Sequence, residues 1–339
     1  MTYIGMDVHK GTSTLECLVP ASKERVSLKI YTKREDLARK LAELPQPWMV
    51  ALEATYHSPA VCNWLAELGA EIHLTDPQKL SKLAKLRPAK TDRTDAELLL
   101  HALVHEYLPE AYLAPPHVVE LRALSRGRQK LVERCTALRN QLRAAFAHAG
   151  LQVTVSDLRG KQAQEMIPTW LAQLPELARR MATMAWKQLC YLDHDLKQVE
   201  CTVRKEVRRD PVMLRLTGLP GIGPVTALAL VAEIGEIERF KQHEQLHCYA
   251  GVVPRVSASG ERQATGKLVS RCSKPMRYWA VLGANNAARS RSPSLTKCTY
   301  RRVKARHGSN TAKIAASRTL LTEVFFIWRK MLPESQEAA

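Results

Sequence analysis

The sequence predicts a chain in three parts: an α/β layer fold, then a long helical middle, then a mainly helical and strongly basic third part. Three observations predict it. Short apolar runs alternate with helical periodicity over the first third of the chain. A heptad pattern follows between residues 118 and 150, and the texture changes again near Leu214, where Leu-Pro-Gly-Ile-Gly-Pro opens a new unit. The expected boundaries are 1–115, 116–210 and 211–339.

The first third begins with three short strands, Tyr3–Val8, Ser13–Leu18 and Arg25–Tyr31, the first two joined by a tight turn at Lys10-Gly11-Thr12. Leu37, Leu41 and Leu44 share one face of a helix over Arg34–Leu44. Trp48–Leu52 reads as a buried strand that ends at Glu53. Ser58–Leu68 reads as a helix with Ser58 as N-cap, Pro59 at its first position and Gly69 as its stop. Glu71–Thr75 is a further strand. Strands followed by alternating helix and strand define an α/β layer.

The middle is helical. Leu121, Arg128, Cys135 and Leu142 share one heptad position, and Leu124, Leu131, Leu138 and Ala145 share the next apolar one. Such a seam is expected to form a coiled coil with another helix; the alternative is a long helix packed within its own chain. Trp170 to Arg209 is a second amphipathic zone. The middle is therefore expected to be a spacer.

Composition excludes several classes. The chain has 339 residues, 45% hydrophobic and 25% charged, which is globular rather than disordered. Its apolar runs are too short to span a bilayer, and the N-terminus has no secretory pattern. A cytoplasmic protein is expected. The eight cysteines form no Cys-x-x-Cys pair, so they are expected to be reduced and mostly buried. Lys and Arg total 51 against 33 acids, a net charge of +18, which calls for a polyanionic partner.

Four carboxylates stand out. Asp7 lies inside an apolar strand, where a charge is costly unless it is paired or binds metal. Glu53 ends a second strand. Asp92 and Asp95 open a helix expected to run to Tyr107, and their spacing puts them on one face; the same spacing turns Glu97 away. Taken singly, Asp92 and Asp95 also suit ordinary helix starts. Together the four can hold the Mg²⁺ ions of phosphodiester chemistry, with Mn²⁺ as the alternative, because gathered acids without a cation repel one another.

Two further features concern nucleic acid. Leu219-Pro-Gly-Ile-Gly resembles a helix-hairpin-helix turn, in which Gly221 and Gly223 let backbone N–H groups approach a phosphate; a bare helix–helix connection would use the same residues. From Pro254 to Lys313 there are 14 Lys and Arg and one acid, a net of +13, which is most of the charge of the chain. Arg255, Arg262, Lys267, Arg271, Lys274 and Arg277 lead this block, Tyr278 and Trp279 lie within it, and its serines include Ser257 and Ser259. A serine among arginines beside a flexible glycine can attack phosphorus; a polar loop serine is the plainer reading of Ser259.

Three stretches carry a family resemblance. They are Tyr-Ile-Gly-Met-Asp with Leu-Glu-Ala-Thr and Lys-Thr-Asp-Arg-Thr-Asp-Ala, then Leu-Pro-Gly-Ile-Gly-Pro, then Tyr-Ala-Gly-Val-Val-Pro-Arg-Val-Ser-Ala-Ser-Gly. In this order they resemble the DEDD transposases of the insertion sequence 110 family, the bridge RNA-guided recombinases. The resemblance implies a RuvC-like (RNase H-like) N-terminal domain, a coiled-coil spacer and a C-terminal transposase domain. It implies that Asp7, Glu53, Asp92 and Asp95 hold metal and that Ser259, before Gly260, is the nucleophile, with Ser257 the nearby rival. It also implies a homo-oligomer, a dimer or a tetramer, that holds a structured non-coding RNA, donor DNA and target DNA, active at the prokaryotic nucleoid. Three functions are therefore weighed: an RNA-guided serine recombinase, a RuvC-like nuclease using water, and a non-enzymatic nucleic-acid scaffold.

Overall fold

The computed structural model describes residues 1–84, 91–155, 158, 160–259 and 262–332, with backbone alone for residues 84, 256–259 and 262–265. The chain divides into two compact units, Met1–Ala114 and Pro115–Ala339.

The N-terminal unit is built on a five-stranded mixed sheet. Strands β1 (Thr2–Val8), β2 (Thr12–Val19) and β3 (Glu24–Tyr31) form an antiparallel meander. Helix α1 (Arg34–Ala42) leads to β4 (Trp48–Glu53), and α2 (Ser58–Glu67) leads to β5 (Glu71–Thr75). Both later strands run parallel to β1, giving the order β3-β2-β1-β4-β5. Helices α3 (Pro77–Ala84) and α4 (Asp92–Val104) complete the unit. The arrangement is consistent with an RNase H-like domain.

The strand period of two explains the layering. Ile4, Met6, Val8, Val50 and Leu52 turn to one face, where Leu37 and Leu41 of α1 and Val61 and Leu65 of α2 cover them. Tyr3, Met49 and Ala51 turn to the other, where Leu98, Leu99 and Leu103 of α4 cover them. Gly5 belongs to this second face. A Cβ there would lie 2.1 Å from the Ala96 carbonyl oxygen and 2.4 Å from the Leu100 nitrogen. Only glycine lets α4 come so close to β1.

Two expectations about this unit need correction. Ser58 is the first residue of α2 and His57 is its N-cap. The Ser58 hydroxyl instead closes the turn after β4, accepting from the Thr55 N–H at 3.1 Å and donating to the Thr55 carbonyl at 2.9 Å. Helix α4 ends at Val104, short of Tyr107.

The C-terminal unit is mainly helical. Helix α5 (Pro116–His148) is followed by α6 (Lys161–Ala172) and α7 (Glu176–Arg209). The predicted zone from Trp170 to Arg209 is thus two helices, divided just before Pro175, the N-cap of α7. Helices α5 and α7 are antiparallel partners, so the heptad seam is used within the chain. Arg128, the charge on that seam, meets Glu200 of α7 at 2.5 Å, and Arg139 meets Asp193 at 3.4 Å.

Next come α8 (Pro211–Leu216), α9 (Pro224–Ile234) and α10 (His243–Ala250). They are followed by a hairpin of β6 (Pro254–Ser259) and β7 (Arg262–Leu268), then by α11 (Lys274–Arg289) and α12 (Leu295–Arg329). Helix α9 is buried from Thr226 to Ile234, and its core draws on Val203 and Val207 of α7 as well as on α10, α11 and α12. The spacer helices and the later helices therefore share one core. The cysteines are free, but only Cys17, Cys62 and Cys135 are buried; Cys190, Cys201, Cys248 and Cys298 are exposed. The expectation of mostly buried thiols fails because Cys190 and Cys201 lie outside the buried face of α7 defined by Ala182, Ala185, Leu189, Leu196, Val203 and Val207.

Candidate active site

The last paired residues of β1 and β4 are Met6 and Leu52, so Asp7 and Glu53 are the next positions on two adjacent parallel strands. Period-two alternation puts them on the face of Gly5 and Ala51, the face that α4 covers. Helix α4 begins at Asp92. Thr91 is its N-cap, accepting from the Thr94 N–H at 3.2 Å while the Thr94 hydroxyl takes the Thr91 N–H at 2.8 Å. This box fixes the turn that carries Asp92 and Asp95. Strand order, the Gly5 contact and one helix cap bring the elements of the four predicted acids to one end of the sheet.

Asp7 is 7% exposed. Its carboxyl is held above the usual carboxylate range, first by burial, with the charges of Asp95 and Asp92 pushing the same way and His9 opposing. His9 Nε2 lies 3.1 Å from Asp7 Oδ2 and 3.3 Å from Asp92 Oδ1. These three donor atoms all fall within 4.8 Å of one another. A buried acid facing two further acids has excess negative charge, and hard oxygen donors with one imidazole suit a divalent cation. The residues fit such an ion.

The predicted site residues do not include His9, although Asp7-Val8-His9 at the end of a strand puts both side chains on one face. Nor do they include Glu16. This buried acid on β2 accepts from the Ser27 hydroxyl at 2.5 Å and meets Arg93 Nε at 3.3 Å. Arg93 also reaches Glu97 at 3.2 Å, so Glu97 is engaged beside Glu16 rather than with the acid cluster.

The predicted residues of the C-terminal unit are placed differently. Ser257 and Ser259 lie in β6, where a loop was expected; two residues, Gly260 and Glu261, separate β6 from β7 and lie outside the described residues. A two-residue connection containing glycine was a hairpin signal in the sequence. Arg262 opens β7. Arg255, Lys267, Arg271 and Lys274 are exposed. Arg277 is committed to the fold, its guanidinium donating to the backbone carbonyls of Ala250 and Val269. Trp279 is core, and Tyr278 beside it is exposed.

The two glycines of the turn part company. Gly221 has φ +92°, and a Cβ there would strike the Gly283 carbonyl and the Ala287 nitrogen of α11. It serves helix packing. Gly223, the N-cap of α9, faces open space, and a surface groove there is lined by Thr217 to Gly223 with Asn286 and Ser292.

The N-terminal unit carries an acid cluster that suits a divalent ion, and the C-terminal unit carries a strongly basic segment that suits a polyanion. Comparison with known proteins makes this specific. Residues 4–149 match the IS110 DEDD family, described as "Transposase", and residues 213–300 match the "Transposase IS116/IS110/IS902 family". The chain belongs to this family of transposases, enzymes that cleave DNA and transfer its strands. It is 27% identical to a probable family 20 transposase of Pseudomonas aeruginosa over 78% of each chain. It is 24% identical to the transposase for insertion sequence element IS1328 of Yersinia enterocolitica, over 83% of this chain and 82% of the other. It is 25% identical to the transposase for IS1111A of Coxiella burnetii, over 75% and 70%. The family implies a divalent metal. Among the described residues no helix is long and apolar enough to cross a membrane.

Proposed function

We propose that this transposase cuts and rejoins DNA through a serine nucleophile, with a divalent ion, Mg²⁺ or Mn²⁺, held by Asp7, Glu53, Asp92 and Asp95. In this reading residues 1–115 are a RuvC-like catalytic domain, 116–210 a spacer and 211–339 a basic transposase domain. The observation that carries it is the surplus of negative charge around the buried carboxyl of Asp7.

When bound, the ion supplies charge stabilisation to the attacking and leaving oxygens of an in-line displacement. The chain's own residues do the rest. The Ser259 hydroxyl gives its proton to solvent water and attacks the scissile phosphorus; an O–P bond forms to serine and the bond to one DNA oxygen breaks, that oxygen taking a proton from solvent water as it leaves. The phosphoserine link retains the bond for religation by another DNA hydroxyl. The exposed basic residues, Arg255, Lys267, Arg271 and Lys274 among them, neutralise phosphates. Gly223 offers the open end of α9 to a backbone. A structured non-coding RNA supplies sequence choice by base pairing, and a homo-oligomer, dimer or tetramer, brings metal site and serine together from different subunits.

The test is covalent trapping. The full-length protein is incubated with the RNA encoded beside its gene, element-end DNA and Mg²⁺, and DNA is sought attached to denatured protein. We expect Ser259→Ala to abolish adduct and strand exchange, Ser257→Ala to retain both, and Asp7→Asn to abolish both by about a thousandfold, the size of several kcal/mol of lost transition-state stabilisation. Cutting retained in Ser259→Ala would overturn the serine and favour water as nucleophile. Full activity in Asp7→Asn would overturn the metal site.

A further inference from the structure

His9 is the one side chain with an imidazole in the acid cluster, and the metal reading above does not use it. We infer that His9 is a further ligand of the divalent ion and that it shifts the preference of the site from Mg²⁺ toward Mn²⁺. The inference rests on the metal site proposed above.

The backbone of His9 is fixed on both sides. Its N–H donates to the Thr12 carbonyl at 3.2 Å, and its carbonyl accepts from the Thr32 hydroxyl at 2.8 Å. That hydroxyl is itself 2.8 Å from the Ser13 hydroxyl. The imidazole therefore stands on a braced turn, two residues beyond Asp7 and on the same face of the sheet.

The contacts of the ring point to a shared ligand. Nε2 is 3.1 Å from one carboxylate oxygen and 3.3 Å from another. One ring nitrogen carries at most one proton, so it cannot give a full hydrogen bond to both at once. Around an octahedral ion with bonds of about 2.0–2.1 Å, adjacent ligand atoms stand about 3 Å apart. The two separations fall close to that edge length. The ring is also poorly suited to a packing role: its side chain is 53% exposed.

The chemistry follows from the donor types. Mg²⁺ prefers oxygen ligands and gives up water reluctantly. First-row transition ions accept imidazole nitrogen more readily, so adding one nitrogen to a carboxylate set raises Mn²⁺ affinity more than Mg²⁺ affinity. A site of four carboxylates alone would lack this bias.

The experiment measures binding, without DNA and without turnover. Mn²⁺ is titrated into the metal-free full-length protein and followed by electron paramagnetic resonance; Mg²⁺ affinity is read by competition. Pulsed measurements on the bound Mn²⁺ report any directly bonded ¹⁴N. Wild type should show an imidazole ¹⁴N signal that His9→Ala and His9→Asn lose. Their Mn²⁺ affinity should fall about tenfold, with the Mg²⁺ affinity changed about twofold or less. Unchanged Mn²⁺ affinity, or a ¹⁴N signal that survives in both variants, would overturn the role of His9. Asp7→Asn separates this from failure of the site itself: loss of Mn²⁺ binding there upholds the site, whereas undiminished binding overturns both the site and the inference.

Discussion

The two units solve the problem of a buried acid in opposite ways. In the C-terminal unit Glu233 is 1% exposed, and Arg126 meets both its oxygens, at 2.9 and 3.0 Å. The Ser273 hydroxyl adds a third contact at 3.3 Å. In the N-terminal unit Asp7 is buried too, but two of the charges acting on it are acids. Glu16, close by in that unit, follows the first pattern, with Arg93 and Ser27. The buried acids among the described residues are these three, and only Asp7 is without an arginine in its described contacts. An acid answered by arginine ties elements together. An acid answered by more acids is built for a cation.

The largest effect should come from disturbing how the acids are gathered. Gly5→Ala puts a methyl group against the backbone of α4, whose first turn carries Asp92 and Asp95. The helix must move away. A misplacement of about 1 Å at a reacting centre costs on the order of a hundredfold in rate. Overpacking of this kind costs about 1–3 kcal/mol of stability. Strand-transfer rates and urea denaturation measure both, and a variant of unchanged rate would show that this close approach does not set the site.

Breaking the paired acid tests the other half of the comparison. Arg126→Met leaves Glu233 buried with a hydroxyl as its one described side-chain partner. Loss of one member of a buried pair costs about 3–5 kcal/mol, and because Arg126 is itself 55% exposed we expect the low end, about 3 kcal/mol, by urea denaturation. Asp7→Asn should act in the reverse direction on metal-free protein. Burial and the neighbouring acids disfavour the Asp7 carboxylate, so removing its charge should raise the melting temperature. Opposite signs in the two variants would uphold the comparison; a loss of stability in Asp7→Asn would break it.

The same contrast between acids explains what the sequence made legible. The strands were readable because short apolar or β-branched runs are bounded by turn residues, and β5 was bounded correctly at Glu71–Thr75 because Asp76-Pro77 ends it. Asp7 was readable because a charge inside an apolar strand is conspicuous, whereas Glu53, Asp92 and Asp95, at a strand end and a helix start, were readable only in company with it. His9 was not, because a lone histidine at a strand end carries no such contradiction. Glu16 and Glu233 were not, because their partners Arg93 and Arg126 declare themselves only when helices are set against strands or one another. The packing role of Gly221 was invisible for a similar reason: only the position of α11 shows that its missing side chain makes room for a helix. Ser257 and Ser259 sit in a strand because Val256 and Ala258 alternate with them, a period obscured by the surrounding basic residues.

A smaller effect, confined to acid conditions, should come from His247. It is buried in α10, with Nε2 3.1 Å from the Thr322 hydroxyl. Burial first, and then the positive charges of His243 and Arg318, push its pKa down from 6.5 to about 4. The folded state thus binds this proton less readily than the unfolded state. Its contribution to stability is fully present above about pH 6.5 and is lost as pH falls toward 4, by up to roughly 3 kcal/mol. His247→Gln should flatten this slope between pH 6.5 and 4 in denaturation curves while leaving activity at neutral pH in place. An unaltered slope would assign the acid sensitivity to other groups.

The smallest effect on the fold should come from the most charged surface, and its consequence should appear only with nucleic acid. Helix α12 kinks at Gly308, where φ is +80°, and every residue from Lys304 to Thr311 is exposed. Arg301, Arg302, Lys304 and Arg306 approach this kink on exposed positions, whereas Arg277 spends its guanidinium on two carbonyls of its own chain. One residue type thus serves two duties. Replacing the four exposed residues by alanine should leave the melting temperature nearly unchanged. Each phosphate that is no longer neutralised should make the dependence of log affinity on log salt shallower by about 0.7–0.9, so four together should flatten it by about three. Arg277→Gln should lower stability and leave the slope intact, because its charge is already engaged by the fold. If instead Arg277→Gln changes the slope and the fourfold variant does not, the positive charge that meets DNA lies on the face of α11 rather than at the elbow of α12.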